Sequence, residues 1–192
     1  MGTERVSGEL PVAIAGFMGV GKSTVGRAVA ASLGRTFYDS DEVVVERLER
    51  PIAELFEAGD EPRFRAAEAA VIAELVEKRP AVVLALGGGA LEYAPTRAIL
   101  ATQAVLVHLD LPWRTIAGEL EALRADRPLL ATGDEADVHL LYEARRSHYL
   151  EAPVQVAIGR DGPEVAASDV LKALVEIGIG LSAGPDQNAG DE

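Results

Sequence analysis

Short apolar runs alternate with longer segments of helical periodicity along most of the chain. The runs are apolar on both faces, which predicts strands buried inside a parallel sheet. The five predicted strands are residues 12–15, 36–38, 81–86, 104–109 and 154–158. Apolar residues three or four apart, bounded by proline or glycine, predict the helices between them. These helices are residues 25–33, a short one after Pro51, a longer one that begins near Pro62, and residues 114–123, 138–150 and 165–177.

The alternation of strands and helices predicts an α/β fold of three layers, with a central five-stranded parallel sheet flanked by helices. We place this domain at residues 11–178, after an N-terminal extension at residues 1–10. Residues 179–192 contain glycine, aspartate and asparagine and show no apolar period. This pattern predicts a disordered C-terminal tail.

The clearest chemical motif lies between the first predicted strand and the first predicted helix. It starts at Gly16 and matches the pattern G-x-x-x-x-G-K-[ST]. In such a loop the backbone N–H groups surround a phosphate, and the positive end of the next helix faces the same anion. Lys22 can reach the β- and γ-phosphates, and the Ser23 hydroxyl can bind Mg²⁺. The predicted nucleotide-binding residues of the loop are Gly19, Val20, Gly21, Lys22, Ser23 and Thr24.

Several classes of protein share this phosphate loop. A GTPase normally carries an Asn-Lys-x-Asp motif, and the only asparagine of the chain is Asn188 in the tail. An ATPase motor would have an acidic residue after a later apolar strand, and Asp110 occupies such a position. The chain is shorter than the usual motor core, and a second acidic pair lies nearer to the loop. A small-molecule kinase is therefore favoured.

That acidic pair is Asp39 and Asp41, directly after the second predicted strand. The carboxyl ends of parallel strands form the edge where ligands bind, so both carboxylates belong beside the phosphate loop. Along an extended segment the two would point the same way, one toward Mg²⁺ and one toward an acceptor hydroxyl. The alternative is an Asx turn that caps a helix beginning near Glu42. The residues alone leave both interpretations open.

Cationic and glycine-rich positions complete the candidate site. Arg65 lies between Glu61 and Glu68 at helical spacing, which favours a surface ion-pair ladder unless other residues give it a ligand. Gly87–Gly89 closes a buried strand and permits close approach of a ligand or a tight turn. Arg127 and Arg145 are further cations in a chain that is otherwise acidic.

Composition narrows the classes of function. The 192 residues include 31 acidic and 18 basic side chains, a net charge of −13, which opposes binding to nucleic acid. The chain contains no cysteine, which excludes disulfides, thiol catalysis and cysteine-bound metals. Its apolar runs are too short to span a bilayer, and the N-terminus lacks a signal pattern. We expect a cytoplasmic monomer without membrane or nucleic-acid partners.

In this order, the motifs resemble those of the shikimate kinases, over about residues 11–178. The matching segments are GFMGVGKST at 16–24, FYDSDEVVVE at 37–46, Phe64-Arg65 with Glu68, GGGA at 87–90, RPLL at 127–130, and Arg145 four residues before Tyr149. The resemblance implies a P-loop kinase fold with a mobile lid at about residues 114–137. It also implies transfer of phosphate from ATP to the 3-hydroxyl of shikimate, with Mg²⁺, in chorismate and aromatic amino acid biosynthesis.

The resemblance implies a role for each matching side chain. Asp41 binds the substrate hydroxyls and is the candidate for accepting the proton, and Asp39 acts on Mg²⁺ through water. Lys22, Asp41 and Arg127 are the predicted catalytic residues. Arg65 and Arg145 bind the shikimate carboxylate, and Gly87, Gly88 and Gly89 line the ring. Arg145 is preferred to Arg146 because of its spacing to Tyr149. Arg127 stabilises charge on the transferring phosphoryl group.

The chain departs from the family pattern mildly at Asp60-Glu61, where a G-E usually precedes F-R, and more clearly at the base pocket. Shikimate kinases often carry an arginine seven or eight residues before R-P-L-L, against the adenine, where this chain has Glu119 and Leu120. Arg124 and Arg160 are the substitutes that we predict for the base pocket. Two alternatives remain at this point: a related kinase for another small hydroxy acid, and a non-catalytic nucleotide-binding regulatory module.

Overall fold

A computed structural model describes residues 10–78, 80–121, 134–159 and 161–179. Its centre is one five-stranded parallel sheet in the order β2-β3-β1-β4-β5. The strands are β1 (Val12–Ala15), β2 (Phe37–Asp39), β3 (Val83–Ala85), β4 (Val105–Asp110) and β5 (Val154–Ala157). The predicted α/β architecture is confirmed.

Helices connect these strands and cover the sheet. They are α1 (Lys22–Leu33), α2 (Ser40–Leu48), α3 (Ile52–Glu57), α4 (Glu61–Val76), α5 (Ala94–Gln103), α6 (Trp113–Ala117), α7 (Glu135–Tyr149) and α8 (Pro163–Glu176), with a 3₁₀ turn at Ala90–Glu92. In the part of the chain that the structure describes, none of the helices has the length and apolar character that crossing a membrane requires.

The core explains why the strands are apolar throughout. All residues of β1 and β3 are buried, as are the first five residues of β4. β1 pairs with β3 along one edge and with β4 along the other, and the burial of all its residues shows that both of its faces are covered. Leu10 and Ile179 pack against the same core at the two ends of the described chain.

The register of the strands determines where the loops meet. Ala85 of β3 pairs with Ile14 of β1 and with Asp39 of β2. The three strands therefore end at the same edge of the sheet, which brings the loop after β1, the start of α2 and the glycine run together. This is the edge at which parallel α/β sheets bind ligands.

The sequence pattern does not predict α5, and it places the starts of α1, α2, α7 and α8 two or three residues too late. In α5 only Thr96 and Leu100 are buried, so the helix shows little apolar period. α2 begins at Ser40 instead of near Glu42, because the Asp39 side chain accepts the N–H of Asp41 and caps the helix.

The start of α7 is also earlier than the predicted residue 138. Asp134 and Asp137 form a reciprocal capping box, from which α7 starts at Glu135. The lid predicted at about residues 114–137 begins with α6. Residues 122–133 lie outside the described residues, so the lid stays a prediction.

Candidate active site

The phosphate loop joins β1 to α1 and has the geometry that its glycines predict. Gly21 is the N-cap of α1 with φ 85°, a left-handed conformation that side chains rarely adopt. The first turn of α1 contains no acidic residue, so its positive end is available to an anion. Lys22 Nζ donates to the carbonyl oxygens of Gly16 and Phe17, both at 3.0 Å. The ammonium group is therefore folded back over the loop that would hold phosphate.

A cavity of about 440 Å³ lies beside this loop. Its lining includes Gly19, Val20, Gly21 and Thr24 from the loop and α1, Glu119 after α6, and Gly159 after β5. A nucleotide whose phosphates occupy the loop can extend into this cavity. Arg124 and Arg160, the predicted contacts to the base, lie outside the described residues and stay predictions.

Asp39 serves as the helix cap and also contacts the phosphate loop. Its Oδ1 accepts the N–H of Asp41 at 3.0 Å, and its Oδ2 accepts the Ser23 hydroxyl at 2.5 Å. The two interpretations that the sequence left open are therefore compatible. A hydroxyl and a carboxylate oxygen at the start of α1 form the donor set that Mg²⁺ takes in addition to phosphates and water.

Ser40 and Asp41 lie in the first turn of α2 and not along an extended segment, so the predicted side-chain alternation is wrong. Ser40 is fully buried, and its hydroxyl accepts the N–H of Gly87 at 2.9 Å. Asp41 Oδ1 and Glu68 Oε1 face Gly87 so closely that a Cβ there would overlap both atoms. A side chain at position 87 would therefore require both carboxylates to shift.

Arg65 is not part of a surface ladder, because it is 7% exposed. Its Nη1 donates to Glu68 Oε2 at 2.8 Å, and its Nε and Nη2 each lie 3.3 Å from Glu61 Oε1. The guanidinium also lies over the rings of Phe56 and Phe64. The two predicted carboxylate partners are confirmed, and the fold buries the group that they hold.

Arg145 of α7 meets Arg65 across the site. Arg145 is 5% exposed. Its Nε donates to Glu92 Oε2 at 2.9 Å, and its Nη2 lies 2.8 Å from the same oxygen in an ion pair. The same oxygen lies 3.9 Å from Arg65 Nη2, so two guanidinium groups converge on one carboxylate oxygen. Arg146 instead lies 3.4 Å from Asp110. Of the two neighbours, only Arg145 contacts this cluster.

The glycine run connects the arginine cluster to the phosphate loop. A Cβ on Gly88 would stand 3.6 Å from Arg145 Nη1 and 3.6 Å from the backbone nitrogen of Met18 in the loop. The Tyr149 hydroxyl donates to the carbonyl of Gly88, which accounts for the four-residue spacing between Arg145 and Tyr149. The guanidinium groups, Asp41 and the phosphate loop therefore share one edge of the sheet. Arg127 lies outside the described residues.

Comparison with known proteins gives the family. The family model described as shikimate kinase matches residues 18–175. A shikimate kinase from Streptomyces avermitilis is 43% identical over 164 residues, which cover 85% of this chain and 94% of that protein. The chain belongs to the shikimate kinase family. Another member, from Novosphingobium aromaticivorans, is 36% identical over 168 residues, with 85% of this chain and 86% of that protein covered.

Solved structures of the shikimate kinase family share this fold. The shikimate kinase from Acinetobacter baumannii, in complex with shikimate, superposes with a TM-score of 0.81 at 32% identity, covering 89% of this chain and 96% of that one. The shikimate kinase from Aquifex aeolicus superposes with a TM-score of 0.73 at 32% identity, covering 89% of this chain and 99% of that one. A gluconokinase from Sinorhizobium meliloti superposes with a TM-score of 0.58 at 18% identity, covering 88% of this chain and 94% of that one. At this identity the likeness shows a common fold only.

Sequence reasoning missed two contacts in this shikimate kinase site. Glu92 was not singled out, although it follows the glycine run by three residues, because its partner Arg145 is 53 positions away. Ser40, between the two aspartates, was not singled out either, although its hydroxyl accepts the N–H of Gly87. Both contacts depend on how the strand ends assemble, which no local pattern specifies.

Glu68 is the side chain whose protonation the site perturbs most clearly. Its side chain is fully buried. Burial, together with the nearby Asp41 carboxylate, outweighs the attraction of Arg65 and raises the pKa of Glu68 to about 7. Near neutral pH this carboxyl group is therefore partly protonated, which relieves repulsion between it and Asp41.

The Glu68 carboxyl should make the free energy of unfolding fall as pH rises from about 4.5 to about 7. In this range the folded chain retains a proton that the unfolded chain releases, so raising the pH favours unfolding. Glu68→Gln cannot ionise, and we expect its urea-unfolding free energy to show a smaller decline between pH 5 and pH 8. The exposed Glu57→Gln serves as the control. Equal pH slopes for wild type and Glu68→Gln would contradict the assignment.

Proposed function

We propose that the chain transfers the γ-phosphoryl group of ATP to the 3-hydroxyl of shikimate, giving 3-phosphoshikimate and ADP, a step toward chorismate and the aromatic amino acids. Family membership supports the reaction class. The observation that carries the proposal is the convergence of two buried guanidinium groups, Arg65 and Arg145, beside Asp41 at the edge that also holds the phosphate loop.

The substrate end of the site suits a cyclic hydroxy acid. A planar guanidinium binds a carboxylate through two parallel hydrogen bonds, which an ammonium group cannot reproduce. We assign the substrate carboxylate to Arg65 and Arg145, and the ring to the backbone of Gly87–Gly89, where no side chain intervenes. Asp41 then faces the substrate hydroxyls. We propose that it accepts the proton of the 3-hydroxyl as that oxygen attacks the γ-phosphorus.

At the nucleotide end, the chain supplies charge and position. Lys22 leaves the carbonyls of the loop for the phosphates, whose oxygens also accept backbone N–H groups at the start of α1. Ser23 and Asp39 fit Mg²⁺, which when bound neutralises phosphate charge; Asp39 acts through water. As the hydroxyl oxygen bonds to the γ-phosphorus, the bond to the bridging oxygen breaks and ADP leaves. We assign to Arg127 the stabilisation of negative charge on the transferring phosphoryl group.

A related kinase for another hydroxy acid would share the phosphate loop but would not need two converging guanidinium groups. A regulatory module would bind nucleotide without turnover. The monomeric state, the cytoplasmic location and the absence of nucleic-acid or membrane partners stay predictions.

A coupled ADP-release assay separates these possibilities. With ATP and Mg²⁺, we expect ADP release that depends on shikimate, little release with hydroxy acids of other ring or chain shape, and one phosphate ester at the 3-position in ³¹P spectra. The Lys22→Ala variant controls for contaminating kinases. Turnover of another hydroxy acid in preference to shikimate, or ATP binding without any acceptor-dependent release, would contradict the proposal.

A further inference from the structure

We infer that Glu92 is a displaceable counter-ion. Its carboxylate pairs with the guanidinium group of Arg145, and the substrate carboxylate must displace it in order to bind there. Glu92 thereby lowers the affinity of the site for anionic substrates. The inference rests on the proposed function, because it concerns the same carboxylate-binding arginines.

The contacts of Glu92 are those expected of a bound carboxylate. Its Oε2 accepts from Nε of Arg145 and forms an ion pair with Nη2 of the same guanidinium group, and this oxygen also approaches Arg65 Nη2. A Cβ on Gly89 would stand 2.6 Å from this oxygen, so the absence of a side chain at Gly89 leaves the space that the Glu92 carboxylate takes. One internal carboxylate therefore lies where we place the carboxylate of the substrate.

The two guanidinium groups are already paired with carboxylates. Glu61 and Glu68 contact Arg65, whereas Glu92 contacts Arg145 and approaches Arg65 at 3.9 Å. An anion that binds Arg145 therefore competes with Glu92. The Glu68 side chain is fully buried and cannot reach water. The Glu92 side chain is 38% exposed, so it can rotate into solvent and be hydrated there.

The backbone at Glu92 is held in place, so the Glu92 carboxylate leaves Arg145 by rotation of its side chain alone. Arg97 of α5 donates from Nη1 to the carbonyl oxygens of Leu91 at 2.6 Å and Glu92 at 3.1 Å, which holds the end of the 3₁₀ turn. In the substrate-free protein the Glu92 carboxylate also spares the buried Arg145 the penalty of an unpaired charge. The same contact that stabilises the empty site therefore competes with the ligand.

The test is calorimetric titration of wild type and Glu92→Gln with shikimate and with its neutral amide. We expect the Kd for shikimate to fall about five- to twentyfold in Glu92→Gln, since a partly exposed charged hydrogen bond no longer competes. The Kd for the amide should change by less than about twofold, because a neutral group does not compete for the guanidinium charge. Glu143→Gln, an exposed change on α7, is the matched control and should alter neither constant.

An unchanged or raised Kd for shikimate in Glu92→Gln would overturn the inference, and so would an equal gain for the acid and the amide. The thermal midpoint of ligand-free Glu92→Gln should fall, and the increase on adding shikimate should exceed that of wild type; a smaller increase would also overturn it. If Glu92→Gln does not fold, Glu92→Asp, whose side chain is one methylene shorter, is titrated under the same criteria. Turnover of shikimate by the wild type tests the proposed function separately.

Discussion

Asp41→Asn is expected to lower turnover of shikimate by about 10²–10⁴-fold, the usual contribution of a positioned general base. An amide has the size of the carboxylate but cannot accept the proton of the attacking hydroxyl. The affinity for ATP should be unchanged, because Asp41 lies against Gly87, as Glu68 does, and we assign it to the acceptor and not to the nucleotide. The measurements are kcat in the coupled assay and the Kd of ATP by calorimetry.

Asp169→Asn is the matched control for this variant. Asp169 lies on α8, where it pairs with Lys172 at the surface, and the same substitution there should leave turnover unchanged. A near-normal kcat for Asp41→Asn would exclude Asp41 as the proton acceptor. A fall in ATP affinity equal to the fall in turnover would instead place Asp41 at the nucleotide.

Arg145→Lys is expected to weaken shikimate binding by about 1.5–3 kcal/mol, which is about ten- to hundredfold in Kd. Lysine keeps the charge but loses the planar pair of donors that matches a carboxylate. Arg65→Lys should have an effect of the same size, and neither change should alter the Kd of ATP. Calorimetric titration with each ligand measures both constants.

The chain offers its own control for Arg145. Arg146→Lys makes the same substitution at the next residue of α7, where the side chain faces Asp110 instead of Glu92, and should change shikimate affinity by less than about threefold. Equal effects of the two substitutions, or a shift confined to ATP, would show that Arg145 does not bind the carboxylate.

The sequence predicts the contacts of this site that join residues close together in the chain, and it misses those that join distant residues. The phosphate loop follows from spacing alone, because Gly21, Lys22 and Ser23 act through the local turn from β1 into α1. The partners of Arg65 also follow from spacing, since Glu61 and Glu68 lie one helical turn away on either side. Whether that ion-pair cluster is exposed or buried is a tertiary property, and the sequence favoured the wrong alternative.

Longer-range features could not be predicted in this way. Glu92 and Arg145 lie on different elements, and only the assembled edge of the sheet brings them together. The helix α5 was missed because only two of its residues, Thr96 and Leu100, are buried, so its sequence shows almost no apolar stripe. Asp39 shows a further limit: the sequence left a helix cap and a carboxylate beside the phosphate loop as alternatives, whereas one oxygen of the side chain caps α2 and the other accepts the Ser23 hydroxyl.

The most direct test of the account is a crystal structure of the chain with shikimate, ADP and Mg²⁺. We expect the shikimate carboxylate within hydrogen-bond distance, about 3 Å, of the guanidinium groups of Arg65 and Arg145, with the 3-hydroxyl on Asp41. The side chain of Glu92 should have turned away from Arg145. Shikimate bound with its carboxylate away from both arginines, or with the 3-hydroxyl directed away from the phosphate loop, would contradict it.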